Sequence, residues 1–358
     1  MDLPRPHPGM SRILVVKLGA LGNVILSLGP FAAIRRHHGT DHVSLLTTRP
    51  WAEFLARSPY FDEVLIDDRP AWWDLAGWWR LRRQLIAGRF DRVYDLQTSA
   101  RSSRYFHLFP RHARPEWSGI AHGSSHPDRD PDRNRLHDID RQFAQLRAAG
   151  VMETLPADLS WTGADLARFA LPDRFALLVP GSSAHRRIKR WPAPRYADLA
   201  GALLTRGMAP VILGAGEEEG ALARTMRDAM PHAIDLTNRT GLPEVASLAR
   251  AACFAVGNDT GPMHLIAAAG CRSVVLFSRD SDPALTAPRG RSVTVLRRPN
   301  LAELDLATVL EALPAAAVLP APVAPPTPAA LPTPAAPPNP AALPTPAALP
   351  TPTALPDG

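Results

Sequence analysis

The sequence predicts an α/β protein made of two Rossmann-like halves, each a parallel sheet covered by helices, with a cleft between them. Three observations carry this. Short, continuous apolar runs, RILVVKL at 12–18 and FALLV at 175–179, each lead into a glycine-containing turn, as buried parallel strands do. Strand and helix patterns alternate over 12–100 and again over 175–277, the mark of βαβ units. A polar stretch rich in His, Arg, Asp and Pro, 102–141, interrupts the alternation. The expected divisions are 12–160, 172–313 and a Pro/Ala-rich tail, 314–358, with the ligand cleft between the first two.

In the first half, strands are expected at 12–18, 42–47, 63–66 and 92–96. The turn at 19–23 leads into a helix over 24–36, and a second helix covers 71–87. The 102–141 stretch reads as loop, a helix follows at 138–149, and 156–172 is the crossover. In the second half, strands are expected at 175–179, 209–213, 253–256 and 273–277. Helices are expected at 194–206, 217–230, 242–251 and 262–269, with a last one at 304–313. The tail repeats AALPTP with a six-residue period, and Asp357 is its only charged side chain. Proline continues neither a helix nor a central strand, so this tail reads as extended and disordered: a spacer, or a docking segment for a partner.

Composition excludes several classes. With 358 residues, 46% hydrophobic and 21% charged, the chain can bury a sizeable core. Cys253 and Cys271 are the only cysteines. They make neither a disulfide framework nor the paired spacing of a zinc site. The net charge of +6 suits an anionic partner, but no nucleic-acid motif is present. The opening MDLPRPHPGMSR has no apolar core of a signal peptide. The apolar run 18–34 is 17 residues long and broken by Gly and Pro, where a spanning helix needs roughly 20 apolar residues. A soluble, cytoplasmic protein is expected.

Four segments carry chemistry. VGNDTGPMHLIAAA, 256–269, runs from a strand through a tight turn to a helix with Pro262 in its first turn. Such a turn aims N–H groups and the positive helix end at one point, which suits a phosphate. An ordinary capped helix with a core histidine is the other reading. VPGSSAHRRIKRW, 179–191, sets Gly181, two hydroxyls and four cations after a strand, a pyrophosphate clamp or a solvated basic loop. KLGALGN, 17–23, has the spacing G-x-x-G and not G-x-G-x-x-G, which argues against a dinucleotide fingerprint. AGEEEG, 215–220, offers a carboxylate to a ribose hydroxyl or simply a charged helix start.

Taken in order, these segments resemble glycosyltransferase family 9, the heptosyltransferases of lipopolysaccharide assembly. The resemblance covers about 12–300. It rests on 179–192 ending KRWP, on GNDTGPMH at 257–264, on the opening ILVVKLGALGNVILSLGP and on YDLQTS at 94–99. It implies a GT-B fold, with the acceptor on the N-terminal domain and the sugar nucleotide, usually an ADP-heptose, on the C-terminal one. It implies that Lys189 meets the donor phosphates, with Ser182 and Ser183 beside it. Asp259, Thr260, Gly261 and His264 would line the pyrophosphate and sugar, and Glu217 or Glu218 would approach the ribose. Lys17, Gly22 and Arg101 fall on the acceptor side, facing an anionic glycolipid or glycan. The implied reaction is an inverting displacement with no obligatory metal or further cofactor, in which Lys189 and the helix end stabilise departing ADP.

One departure matters. The family's opening motif reads G-D where this chain has Gly22-Asn23, and the Asp is regarded as the general base. A neutral amide cannot take that proton. Either Asn23 orients the acceptor while another group such as Asp95 serves as base, or the chain is a non-catalytic GT-B protein that binds a nucleotide sugar or glycan. A nicotinamide-dependent oxidoreductase is a third class, without its fingerprint. Trp72, Trp73, Trp78 and Trp79 precede Arg80, Arg82 and Arg83. Trp with Arg suits a membrane interface, but core packing by half of the four tryptophans beside a solvated basic edge is the reading preferred.

Overall fold

The computed structural model describes residues 10–182 and 189–314. Ser183, Arg186, Arg187 and the tail from 315 onward lie outside them. The N-terminal sheet has six parallel strands: β1 (Arg12–Val16), β2 (His42–Thr47), β3 (Glu63–Ile66), β4 (Arg92–Asp95), β5 (Glu116–Gly119) and β6 (His126–Pro127), in the order β3-β2-β1-β4-β5-β6. The helices between and after them are α1 (Leu21–Ile25), α2 (Leu28–His38), α3 (Arg49–Ala56), α4 (Leu75–Ala87), α5 (Ala100–Tyr105) and α6 (Asp138–Ala148).

The second sheet repeats the plan with β7 (Phe175–Val179), β8 (Ala209–Ile212), β9 (Ile234–Asp235), β10 (Phe254–Asn258), β11 (Ser273–Phe277) and β12 (Val293–Arg297), ordered β12-β11-β10-β7-β8-β9 and again all parallel. Its helices are α7 (Ala193–Leu204), α8 (Glu217–Ala229), α9 (Leu242–Ala251), α10 (Gly261–Ala268), α11 (Pro283–Thr286) and α12 (Leu306–Glu311). In both sheets the order reverses beside the first strand, the switch point where α/β ligands bind at the strands' C-terminal ends.

Alternation along β1 shows how the layers form. Ile13 and Val15 join one buried cluster, with Phe31, Ile34 and Leu146 from the helices on that face. Leu14 and Val16 join another, with Leu81, Leu85 and Trp117. Successive strand residues point to opposite faces, so a strand covered on both sides must be apolar throughout.

Several elements differ from the sequence expectation. The helix expected over 24–36 is two helices, because Pro30 has no N–H to return to Leu26 and the Ser27 hydroxyl donates to the Asn23 carbonyl at 2.8 Å. The helix expected from Ala71 starts at Leu75, capped by Asp74, which accepts from Gly77 N at 2.8 Å. The stretch read as loop holds α5, β5 and β6. Strand β5 is EWSG, with Trp117 its one large apolar side chain, and it pairs with β4 as that side chain is fully buried. The expectation that half of the four clustered tryptophans pack in the core is corrected: Trp72, Trp73 and Trp79 are exposed and only Trp78 is half-buried. Among the described residues, no helix is long and apolar enough to cross a membrane.

The halves meet where α1 and α10 approach end to end. A Cβ on Gly22 would sit 2.9 Å from the His264 ring, and one on Gly261 would sit 2.7 Å from the Leu21 Cβ. Two further links cross between them. His137 Nε2 donates to the Ala287 carbonyl at 2.9 Å, and Arg289 pairs with Asp140 at 2.9 Å. Gly22→Ala should gain about 1 kcal/mol of helix propensity but lose about 1–3 kcal/mol to overpacking against a buried ring. Net destabilisation in urea unfolding is the expected result; a more stable variant would show that this contact can relax freely.

Candidate active site

The junction forms the floor of a cleft of about 1120 Å³, ample for a nucleotide-sized ligand. The C-terminal half contributes three walls, all loops at the C-terminal ends of strands. The turn after β10 places Asp259 and Thr260 at the start of α10. The turn after β8 places Glu217–Glu219 at the start of α8. Lys189 and Arg190 come from the segment that follows β7.

Asn258, the last residue of β10, organises this side. It is fully buried. Its amide nitrogen donates to the Pro180 carbonyl at 2.7 Å and to that of Gly181 at 3.2 Å. Its carbonyl accepts from Trp191 N at 3.0 Å and Tyr196 Oη at 3.1 Å. One side chain thus holds both ends of the segment that carries Lys189. Beside it, the Lys189 ammonium donates to Asp259 Oδ2 at 2.6 Å, and the Ser281 hydroxyl donates to the same oxygen at 2.6 Å. Both charged side chains are 9% exposed, so the pair sits at the mouth of α10 in a largely desolvated setting, where electrostatic interactions are strong.

Two polar atoms at this helix end have no partner among the described residues: Thr260 Oγ1 and His264 Nδ1, both buried. In the first turn of α10 Pro262 has no N–H and Met263 N donates to the Thr260 carbonyl at 3.1 Å, which leaves Gly261 N as the one N–H there with no intrahelical acceptor. His264 Nε2 stands 3.9 Å from Asp259 Oδ1, too far for a hydrogen bond. Burial lowers the His264 pKa to about 4, against the opposing pull of Asp259, so the ring is neutral at pH 7. Helix end, ammonium, hydroxyl and neutral imidazole are gathered at one point, a donor set whose chemistry suits an anionic oxygen.

The three glutamates differ in use. Glu219 accepts from Ala215 N at 2.8 Å, and burial raises its pKa. Glu218 pairs with Arg190 at 2.7 Å, whose Nε donates to Ser182 Oγ at 3.0 Å. Glu217 is the exposed member on the cleft wall.

The N-terminal half brings Ala20, Gly22 and Asn23 to the cleft. Three other residues singled out in the sequence lie elsewhere. Lys17 is buried, donates to the Leu96 carbonyl at 3.0 Å and lies 3.9 Å from Asp138 Oδ2; burial lowers its pKa. It ties the ends of β1 and β4 to α6. Asp95 has no exposed surface and is not on the cleft wall. Its Oδ1 accepts from Gln97 N at 3.1 Å and Thr98 N at 3.0 Å, holding the turn after β4 in which Thr98 has φ 42°. Burial raises its pKa to about 6. A carboxylate so enclosed does not meet an acceptor hydroxyl in this state. Arg101 reaches Asp67 at 3.4 Å, the Tyr105 hydroxyl at 2.8 Å and the Pro70 carbonyl at 3.2 Å.

Sequence reasoning missed Asn258, Ser281 and Arg224. Asn258 had a signal, a polar residue closing an apolar strand. Ser281 and Arg224, which also line the cleft, had none.

Residues 78–311 match the model of glycosyltransferase family 9 (heptosyltransferase). The chain is 25% identical over 336 residues to lipopolysaccharide heptosyltransferase 1 of Salmonella typhimurium, covering 83% of this chain and 98% of that one. It is 25% identical over 318 residues to lipopolysaccharide heptosyltransferase 2 of Escherichia coli, covering 80% and 88%. Similar solved structures include a family 9 glycosyl transferase from Veillonella parvula, at TM-score 0.72 and 21% identity over 84% of this chain and 95% of that one. Another is an E. coli heptosyltransferase with ADP, at TM-score 0.66 and 21% identity over 84% and 98%. These likenesses carry the GT-B fold.

Proposed function

Because the chain belongs to glycosyltransferase family 9 and is therefore a sugar-transferring enzyme, we propose that it moves a heptose from an ADP-activated donor to a lipopolysaccharide-core acceptor, with inversion. The observation that carries this is the Lys189–Asp259 pair at the N-terminal end of α10, in the cleft that Asn23 also lines. The relatives' names support the heptosyl group and the lipopolysaccharide acceptor. The non-catalytic alternative has no such support. The donor is held by 172–313 and the acceptor by 12–160, in the cytoplasm.

In this reading the diphosphate sits over the first turn of α10, with Thr260 Oγ1 and His264 donating to it. Lys189 leaves or shares Asp259 to reach the phosphate oxygens, and Glu217 receives the ribose hydroxyls. Ser182 lies behind, bound to Arg190. The acceptor oxygen attacks the anomeric carbon from the side opposite the pyrophosphate, the carbon–oxygen bond to phosphate breaks, and ADP departs with the electron pair. Lys189 and the helix end stabilise that charge as it develops. Asn23 orients the acceptor hydroxyl, whose proton passes to water in the open cleft.

Calorimetry with ADP, UDP, GDP and NAD tests this. Selective ADP binding is expected. Preference for UDP or GDP would remove the ADP donor, and NAD binding alone would overturn the assignment of the cleft.

A further inference from the structure

The loop after β3 and the start of α4 form a surface that the transfer reaction does not use. Trp72, Trp73 and Leu75 are 78%, 68% and 78% exposed, and Trp79 is 57% exposed. Large aromatic side chains rarely stand free in such a group without a partner. Leu75, Trp79, Arg82 and Arg83 share one helix face at i, i+4, i+7 and i+8, while Gly77, Leu81 and Leu85 face the core. Arg80 is also exposed, and the Arg83 guanidinium lies over the Trp79 ring at 5.5 Å.

The surface is held in shape. Trp78 Nε1 donates to the Ala71 carbonyl at 3.0 Å, and Arg101 covers the Trp78 ring at 5.1 Å while donating to the Pro70 carbonyl. Arg101 thus braces this loop. The acids within reach are engaged: Asp74 caps α4 and lies 3.9 Å from Arg80, and Asp68 pairs with Arg49 at 2.7 Å. Arg82 and Arg83 leave the outward surface aromatic with a net positive charge.

Its place also matters. Strands β1, β2 and β3 are parallel, so the loop carrying Trp72 and Trp73 leaves the same sheet edge as the loop carrying Asn23. The aromatic surface therefore stands on the acceptor side of the molecule, at the outer strand.

We propose that Trp72, Trp73, Leu75 and Trp79, with Arg80, Arg82 and Arg83, dock the enzyme on an anionic lipid bilayer. Trp rings sit at the headgroup level, where apolar body and N–H are both accommodated, and the arginines are drawn to negative lipid. Charge selects this occupant: a second copy of a chain of net charge +6 would bring the same arginines to the interface. The proposal rests on the transferase reading only for the acceptor's position.

The test uses the full chain with vesicles of phosphatidylcholine, alone or with about a quarter phosphatidylglycerol, at low and high salt. Wild type should bind the anionic vesicles with a blue shift of Trp emission, and salt should weaken binding. Trp72→Ser/Trp73→Ser/Trp79→Ser and Arg80→Ala/Arg82→Ala/Arg83→Ala should each lower vesicle affinity by at least about tenfold, with ADP affinity unchanged. A triple variant that binds vesicles like wild type overturns the proposal. So does a wild-type dimer, seen by sedimentation, that the Trp variant dissociates. Wild type that ignores vesicles yet binds ADP overturns the docking surface and leaves the donor site standing; the reverse outcome separates them the other way.

Discussion

Asn23→Asp should raise kcat by about 10²–10⁴-fold, the usual worth of a general base. Asn23 is the third residue of α1, exposed and lining the same cleft as Lys189 and Asp259. The replacement is nearly isosteric, so backbone and fold should be unaffected while a neutral amide becomes a proton acceptor. The pH profile gives an independent signature. The variant's rate should fall as pH drops through the new carboxyl's pKa, a limb that wild type lacks. Unchanged turnover with intact ADP binding would mean that the acceptor hydroxyl is not held at Asn23.

Lys189→Ala should cost both stability and donor affinity, and the two losses can be separated. Removing the lysine leaves Asp259, 9% exposed in the intact pair, with Ser281 as its remaining short contact and His264 3.9 Å away. Breaking a buried pair costs about 3–5 kcal/mol, because the surviving charge stays desolvated. Losing a charge-assisted bond to phosphate costs about 1.5–3 kcal/mol, roughly a 10–150-fold rise in the ADP Kd. Lys189→Met combined with Asp259→Asn removes both charges and should recover most of the stability but none of the affinity. Denaturant unfolding and calorimetry on the three chains check this. ADP affinity in Lys189→Ala equal to wild type would move the phosphates away from α10.

Much of the fold was legible because parallel strands buried on both faces announce themselves locally. RILVV and FALLV are buried at every position and, Arg12 apart, apolar, and the loop after the first carries the glycine behind which α1 starts at Leu21. Strand β5 was not legible, since its pairing is decided by Trp117 packing under a neighbouring strand. The break between α1 and α2 follows from Pro30, which is legible, together with the Ser27 hydroxyl returning to the Asn23 carbonyl, which is not. Ser182, Lys189, Asp259, Thr260 and His264 reach the cleft together. Lys17 and Asp95 turn inward, held by buried polar partners at the ends of β1 and β4 that no local pattern reveals.

The sequence by itself determined the two strand–loop–helix units, their glycine turns and the clustering of hydroxyl and basic residues in the loops of the second half. These are local properties, set by periodicity and by which residues tolerate tight turns. Only the tertiary structure decided which loops face one another. Lys189 meets Asp259 across 70 positions of chain, and Gly22 meets His264 across the junction of the halves. Arg101 is drawn away to brace the tryptophan loop. Each depends on strand order and on the approach of α1 to α10. Those are set by long-range packing of two buried layers, which local pattern does not encode.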